Sequence, residues 1–317
     1  MEKGTDTSMR GVWTALITPF NEKNEIDFPA FGRIIQNQVS AGITGVIPCG
    51  TTGESPTLST GEKKRLIQFT LDELKGTGVK VVAGTGTNDT EKTIEFSTWA
   101  AQQGVDGLLI VAPYYNKPSQ KGLELHFQMI ADAIPCEIIL YNVPGRTGVC
   151  LSAETVAHLA GHPKIRTLKE ASGQVFFTSE ILETVSRKGR SIDILSGDDA
   201  TYFPLLCVGA VGVISVASNL CPRAMVSIQR SIEQGQLETA KKIHQLYYPL
   251  FRDLFVESNP VPIKFALSTM GWCTPSVRLP LTPLSNENAL KLKATLHQCG
   301  INPGKPNQDL TLDELSN

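Results

Sequence analysis

One pattern repeats eight times between residues 12 and 233: a short apolar run, a break rich in Gly, Pro, Ser or Asp, then a stretch with helical spacing. The apolar runs fall at 12–18, 45–49, 80–83, 107–112, 137–140, 164–169, 191–195 and 211–216. Most are apolar runs rather than alternating ones, as expected of strands covered on both faces, with charged residues in the interior of 164–169 and 191–195 as the exceptions. Between them lie helical stretches. The first follows Asp27 and spaces Phe28, Phe31, Ile34 and Ile35 along one face. The second starts at the capping-box sequence Ser59-Thr60-Gly61-Glu62 and carries Leu66, Ile67, Leu71 and Leu74. Others are expected at 90–103, 122–133, 153–160, 175–186 and 223–233, with a short one after strand seven. Eight such units in about 235 residues match the count and size of a (β/α)8 barrel. An open doubly wound sheet shows the same local alternation with fewer units.

From residue 236 onward the pattern is helical only, with segments at 237–256, 262–270 and 286–299. The chain therefore reads as a barrel over 1–235, with a short polar leader, and a C-terminal helical extension over 236–317. The stretch 301–317 is polar, contains Pro303, Gly304 and Pro306, and is expected to be a surface tail.

Composition narrows the function. The 29 basic and 31 acidic residues nearly cancel, which argues against nucleic acid or an anionic membrane as the main partner. No apolar run approaches the roughly 20 residues that span a bilayer, and residues 1–10 lack the apolar core of a signal peptide. The seven cysteines are scattered without a Cys-x-x-Cys pair, as for reduced thiols. The histidines have no metal-ligand spacing, so neither a metal nor a cofactor is expected. A cytoplasmic location is the expectation.

In a barrel the reactive groups collect at the C-terminal ends of the strands. Here Thr51 and Thr52 follow strand two, Tyr114 and Tyr115 strand four, Tyr141 strand five and Gly197 strand seven, while Lys169 ends strand six. A lysine in a buried strand must reach water or lose its charge, and a neutral amine can attack a carbonyl to form a Schiff base. The alternative is an ion pair with Glu170 or another carboxylate. The Gly50-Thr51-Thr52-Gly53-Glu54 loop offers backbone N–H groups and hydroxyls to a small carboxylate. Gly84-Thr85-Gly86 completes no nucleotide-binding motif.

Two stretches decide between these readings. Gly45-Val46-Ile47-Pro48-Cys49-Gly50-Thr51-Thr52-Gly53-Glu54 resembles the first signature of the dihydrodipicolinate synthase/N-acetylneuraminate lyase family of class I aldolases. Tyr141-Asn142-Val143-Pro144 with Lys169-Glu170-Ala171 resembles the second. The likeness extends to Asn259-Pro260-Val261-Pro262-Ile263-Lys264 and Arg278-Leu279-Pro280-Leu281-Thr282-Pro283. The Gly50-Thr51-Thr52 loop, Tyr114-Tyr115-Asn116-Lys117-Pro118 and Arg146 are similar to the synthase branch rather than to the sugar-acid lyases.

The resemblance implies a condensation of pyruvate with aspartate 4-semialdehyde on the route to lysine and diaminopimelate. It implies Lys169 as Schiff-base nucleophile and Tyr141 as proton shuttle, with Thr51 and Tyr115. Tyr115 is expected to cross from a neighbouring subunit of a homotetramer, a dimer of dimers. Thr52, Gly197 and Ile214 are implied in holding pyruvate, and Arg146 in holding the carboxylate of the semialdehyde. Lysine-sensitive members bind L-lysine near the positions of Ser55 to Lys63, Asn88, Lys92 and Tyr114. Lysines at 63 and 92 lead us to expect weak or absent feedback inhibition here. A sugar-acid lyase of the same family and a non-catalytic keto-acid binder are the competing readings.

Overall fold

The structure, a computed structural model, describes residues 9–302 of the 317. Eight parallel strands close on themselves in sequence order: β1 Gly11–Ala15, β2 Gly45–Ile47, β3 Lys80–Gly84, β4 Gly107–Val111, β5 Glu137–Asn142, β6 Ile165–Glu170, β7 Asp193–Ser196 and β8 Gly212–Ser215. Helices between them form the outer layer, so the (β/α)8 barrel with C-terminal helices is the observed fold. Among the described residues no helix is long and apolar enough to cross a membrane.

Alternate residues of each strand face opposite ways. The inward set, including Trp13, Ile47, Val82, Leu109, Ile139, Leu195 and Ile214, packs as one cluster inside the barrel. Trp13 is fully buried there and its indole N–H donates to the Met9 carbonyl at 2.7 Å. The outward set, including Val46, Ala83, Leu108, Leu140, Leu168 and Val213, packs under the helices. Burial on both faces is why most of the strands read as apolar runs.

Helix entries follow local sequence. Asp27 caps Phe28–Ala41 through the Ala30 N–H, with Pro29 in the first turn. Ser59 and Glu62 form the expected reciprocal capping box at the start of Thr60–Leu74. Strand ends differ from the apolar runs where neighbours decide them. Strand β1 stops at Ala15 rather than at residue 18, because its partner β2 ends at Ile47, ahead of Pro48. Strand β5 continues through Tyr141 to Asn142, past the expected end at 140, because β6 pairs with it as far as Glu170. The chain then forms one unforeseen helical turn, Pro144–Thr147, closed by Gly148 at φ +73°.

The extension contains helices Leu237–Asp253, Val261–Thr269 and Asn286–Gln298. Its Tyr247, Leu250, Phe251, Ile263 and Leu267 join the same buried cluster as the outward strand residues, so extension and barrel share one core. Most of the expected tail, residues 303–317, lies outside the described residues.

Candidate active site

Lys169 is the next-to-last residue of β6 and points inward, whereas Glu170 points outward. The alternation separates them, and the alternative ion pair does not form. Glu170 instead accepts from Asn142 Nδ2 at 2.8 Å and from the Ser172 N–H at 2.5 Å, and burial raises its carboxyl above the ordinary range. Asn142 Oδ1 also accepts the Leu151 N–H at 3.0 Å, so this outward network ties the ends of β5 and β6 together.

Lys169 is 6% exposed, and its Nζ lies 4.1 Å from the centre of the Tyr141 ring. Both line a cavity of about 400 Å3 at the C-terminal mouth of the barrel, together with Thr51, Thr52, Arg146 and Gly197. Gly197 is glycine for a steric reason. A Cβ there would lie 2.6 Å from the Ala171 Cβ and 3.0 Å from Lys169 Cε, so any side chain would crowd Ala171 and the lysine. Arg146 rides on the Pro144–Thr147 turn with its side chain exposed at the rim.

An adjoining cavity of about 250 Å3 shares Thr51, Tyr141, Val143 and Arg146, and reaches Lys63 and Tyr114. Cys49, beneath it, is buried, and burial pushes its thiol up to about 12. Burial also draws the Lys63 ammonium below its ordinary range. The Gly50–Glu54 loop sits tightly against β3, where a Cβ on Gly84 would meet the Cys49 carbonyl oxygen at 2.5 Å. Hydrogen bonds from the Gly53 and Glu54 N–H groups to Gly50 and Thr51 shape the turn.

Two expected site residues stand elsewhere. Tyr115 is 89% exposed with φ +72°, and it walls neither cavity. Ile214 is not among the residues walling the Lys169 cavity; it packs with Tyr141 in the inner barrel cluster. Conversely, Asn259 and Phe255 of the extension reach the cavity, although neither was a candidate from sequence. Asn259 stood only in a stretch of family likeness, and no local spacing linked it to Thr52.

The model of the dihydrodipicolinate synthetase family matches residues 8–299. The chain belongs to that family. Among curated relatives, the 4-hydroxy-tetrahydrodipicolinate synthase of Endomicrobium trichonymphae is 47% identical over 92% of this chain and 98% of its own. Among solved structures, the synthase from Methylacidiphilum fumariolicum SolV is 44% identical with a TM-score of 0.89, covering 92% of this chain and 96% of that one. A monomeric dihydrodipicolinate synthase variant is 39% identical with a TM-score of 0.89, covering 92% of this chain and 97% of that one. In this family member, no group of three His, Cys, Asp or Glu among the described residues could hold a metal ion.

Proposed function

We infer that the chain is a 4-hydroxy-tetrahydrodipicolinate synthase, a Schiff-base lyase that condenses pyruvate with L-aspartate 4-semialdehyde in lysine and diaminopimelate biosynthesis. The observation that carries this reading is Lys169, buried at the barrel mouth over Tyr141 and beside the Thr51–Thr52 loop, in a chain 47% identical to a curated synthase.

The Lys169 amine attacks the ketone carbon of pyruvate, and loss of water leaves an iminium. Loss of a methyl proton gives an enamine, whose carbon attacks the aldehyde. The substrate's own amine then displaces Lys169 as the ring closes. No cofactor enters, because the iminium is itself the electron sink. Tyr141 carries protons at this centre, with Thr51 lining the same cavity. The Thr52 hydroxyl and the N–H groups of Thr51 and Thr52 hold the pyruvate carboxylate, Gly197 leaves room for the lysine, and Ile214 belongs to the inner barrel cluster that also contains Tyr141. Arg146, at the rim, receives the second carboxylate.

Tyr115 projects into solvent from a left-handed backbone, a conformation costly for a bulky residue and out of reach of its own site. That supports a second copy of the chain taking Tyr115 into its own site, and hence at least a dimer, with the dimer of dimers as the full assembly. Free cysteines at all seven positions fit a reducing, cytoplasmic setting.

The test is borohydride reduction in the presence of pyruvate followed by peptide mass mapping. A pyruvyl-derived adduct should appear on Lys169 and vanish in Lys169→Ala. Turnover with aspartate semialdehyde but not with an acylated amino sugar should then identify the aldehyde. An adduct on another residue would overturn the assignment.

A further inference from the structure

Asn259 comes from the C-terminal extension, yet it walls the Lys169 cavity. It is 5% exposed. Its Nδ2 donates to Thr52 Oγ1 at 3.0 Å, while its Oδ1, also buried, has no hydrogen-bond partner. A threonine hydroxyl has one proton to give and two lone pairs to receive with. With an Asn259 N–H on one lone pair, the Thr52 proton cannot be given to Asn259 and must turn to another acceptor. Thr52 is 3% exposed and walls the cavity, so the acceptor in that direction is what the cavity holds.

The contact is framed from both sides. Two residues beyond Thr52, Glu54 accepts from Lys264 Nζ at 2.6 Å and from the Arg278 N–H at 2.9 Å. The side chains of Lys264 and Glu54 are 0% and 1% exposed. Burial draws the Lys264 ammonium below its ordinary range even though Glu54 opposes that shift. Thus Asn259 and Lys264, five positions apart in the extension, grip Thr52 and Glu54 of one short loop. Breaking such a buried pair leaves an uncompensated charge, which makes the frame stiff.

We propose that Asn259 is a positioning residue that fixes the Thr52 hydroxyl as a hydrogen-bond donor toward the substrate carboxylate, so that the C-terminal extension sets affinity for the keto acid. The inference rests on the reading of Lys169 and Thr52 given above. Asn259 acts through Thr52 and only on substrates that carry the carboxylate.

Borohydride trapping at Lys169 in the full chain tests this with two probes, pyruvate and acetone, a ketone without a carboxylate. In each case hydride adds to the iminium carbon and leaves a stable secondary amine on Lys169. Asn259→Ala should raise the pyruvate concentration for half-maximal trapping about three- to tenfold, the worth of one ordinary hydrogen bond. Acetone trapping should stay within about twofold of the wild type, since it lacks the group the contact serves. Asn259→Asp keeps the shape of the side chain but would accept the Thr52 proton and add a negative charge. It should therefore raise the pyruvate requirement more than alanine does. In a Thr52→Val background, Asn259→Ala should have no further effect on pyruvate.

Equal loss of pyruvate and acetone trapping would reduce Asn259 to a structural role and overturn the inference. Additive losses in the Thr52→Val background would do the same. If Asn259→Ala does not fold, the isosteric Asn259→Asp still decides the matter through the contrast between the two ketones. Absence of any pyruvate adduct in the wild-type chain is a different outcome. It would overturn the reading of Lys169, and this inference with it.

Discussion

Tyr141 and Lys169 are direct register partners on adjacent parallel strands, and the lysine Nζ lies 4.1 Å from the centre of the tyrosine ring. A one-residue slip of β6 against β5 would turn Lys169 outward and bring Glu170 in. The outward Asn142–Glu170 hydrogen bond at 2.8 Å, one residue further along both strands, opposes that slip.

Gly197→Ala should cut pyruvate trapping at Lys169 by about tenfold or more at a fixed pyruvate concentration, because the new methyl would contact Lys169 Cε at 3.0 Å. Relieving such overpacking typically costs ~1–3 kcal/mol. Adduct yield by mass spectrometry, with circular dichroism as a fold control, measures it. Unchanged trapping would mean that the lysine does not take this path in solution.

Arg146→Ala should lower kcat/KM for aspartate semialdehyde by about two orders of magnitude, as expected for loss of a charge-assisted contact of a few kcal/mol. Pyruvate trapping should remain, because Arg146 sits at the rim, exposed, rather than against Lys169. Parallel loss of both would give Arg146 a role in holding the site together instead.

Acid stability should report on Glu62 and Arg278. Arg278 Nη2 donates to Glu62 Oε1 at 2.6 Å and to the Asn24 carbonyl at 2.8 Å. This hydrogen bond is the main cause that lowers the Glu62 carboxyl from 4.5 to about 2. A depressed carboxyl stabilises the fold fully above its unfolded value and loses that contribution as pH falls through its folded value. The stability gap between the wild type and Glu62→Gln should therefore be complete above pH 4.5 and close as pH falls toward 2. Urea titrations across that range measure it, and a gap independent of pH would contradict the assignment.

Subunit completion can be read by mixing two impaired chains. Lys169→Ala lacks the nucleophile, and Tyr115→Phe lacks the hydroxyl proposed to serve its neighbour. Exchange between the two should restore activity toward about one quarter of the wild type, since half of the random dimers carry one intact site of two. No gain after demonstrated exchange would place the action of Tyr115 in its own subunit or remove it from the reaction.

Initial rates should stay nearly flat as L-lysine rises through the millimolar range. Lys63 walls the second cavity, and a cationic effector there would meet a like charge. Lys92 adds less to this repulsion than expected, because it is 76% exposed and pairs with Asp89 at 3.4 Å. Strong inhibition below millimolar concentration would show that another group supplies the missing counter-charge.

The barrel was legible in the sequence, because strands covered on both faces are mostly apolar, and eight such runs followed by helical periods leave few alternatives. The sequence also determined that Lys169 and Glu170 face opposite ways, since a strand sends neighbours to opposite faces, but which of them points inward is set by the pairing of β6 with β5. The capping of Thr60–Leu74 was equally legible, because the capping box is made by residues three apart. Strand ends were less so. Tyr141 lies within β5 rather than after it, because hydrogen bonds to β6 extend the strand beyond its apolar run.

Contacts between residues that no local rule relates arise only in the folded chain. Asn259 meets Thr52 across 207 positions, Lys264 meets Glu54 across 210, and Arg278 meets Glu62 across 216. The physical reason is closure. A spacing rule describes one helix or strand, whereas the mouth of a closed barrel brings together loops from several strands and whatever segment packs over them. Here that segment is the helical extension, whose stretches of family likeness carry no spacing that relates them to the Gly50–Glu54 loop.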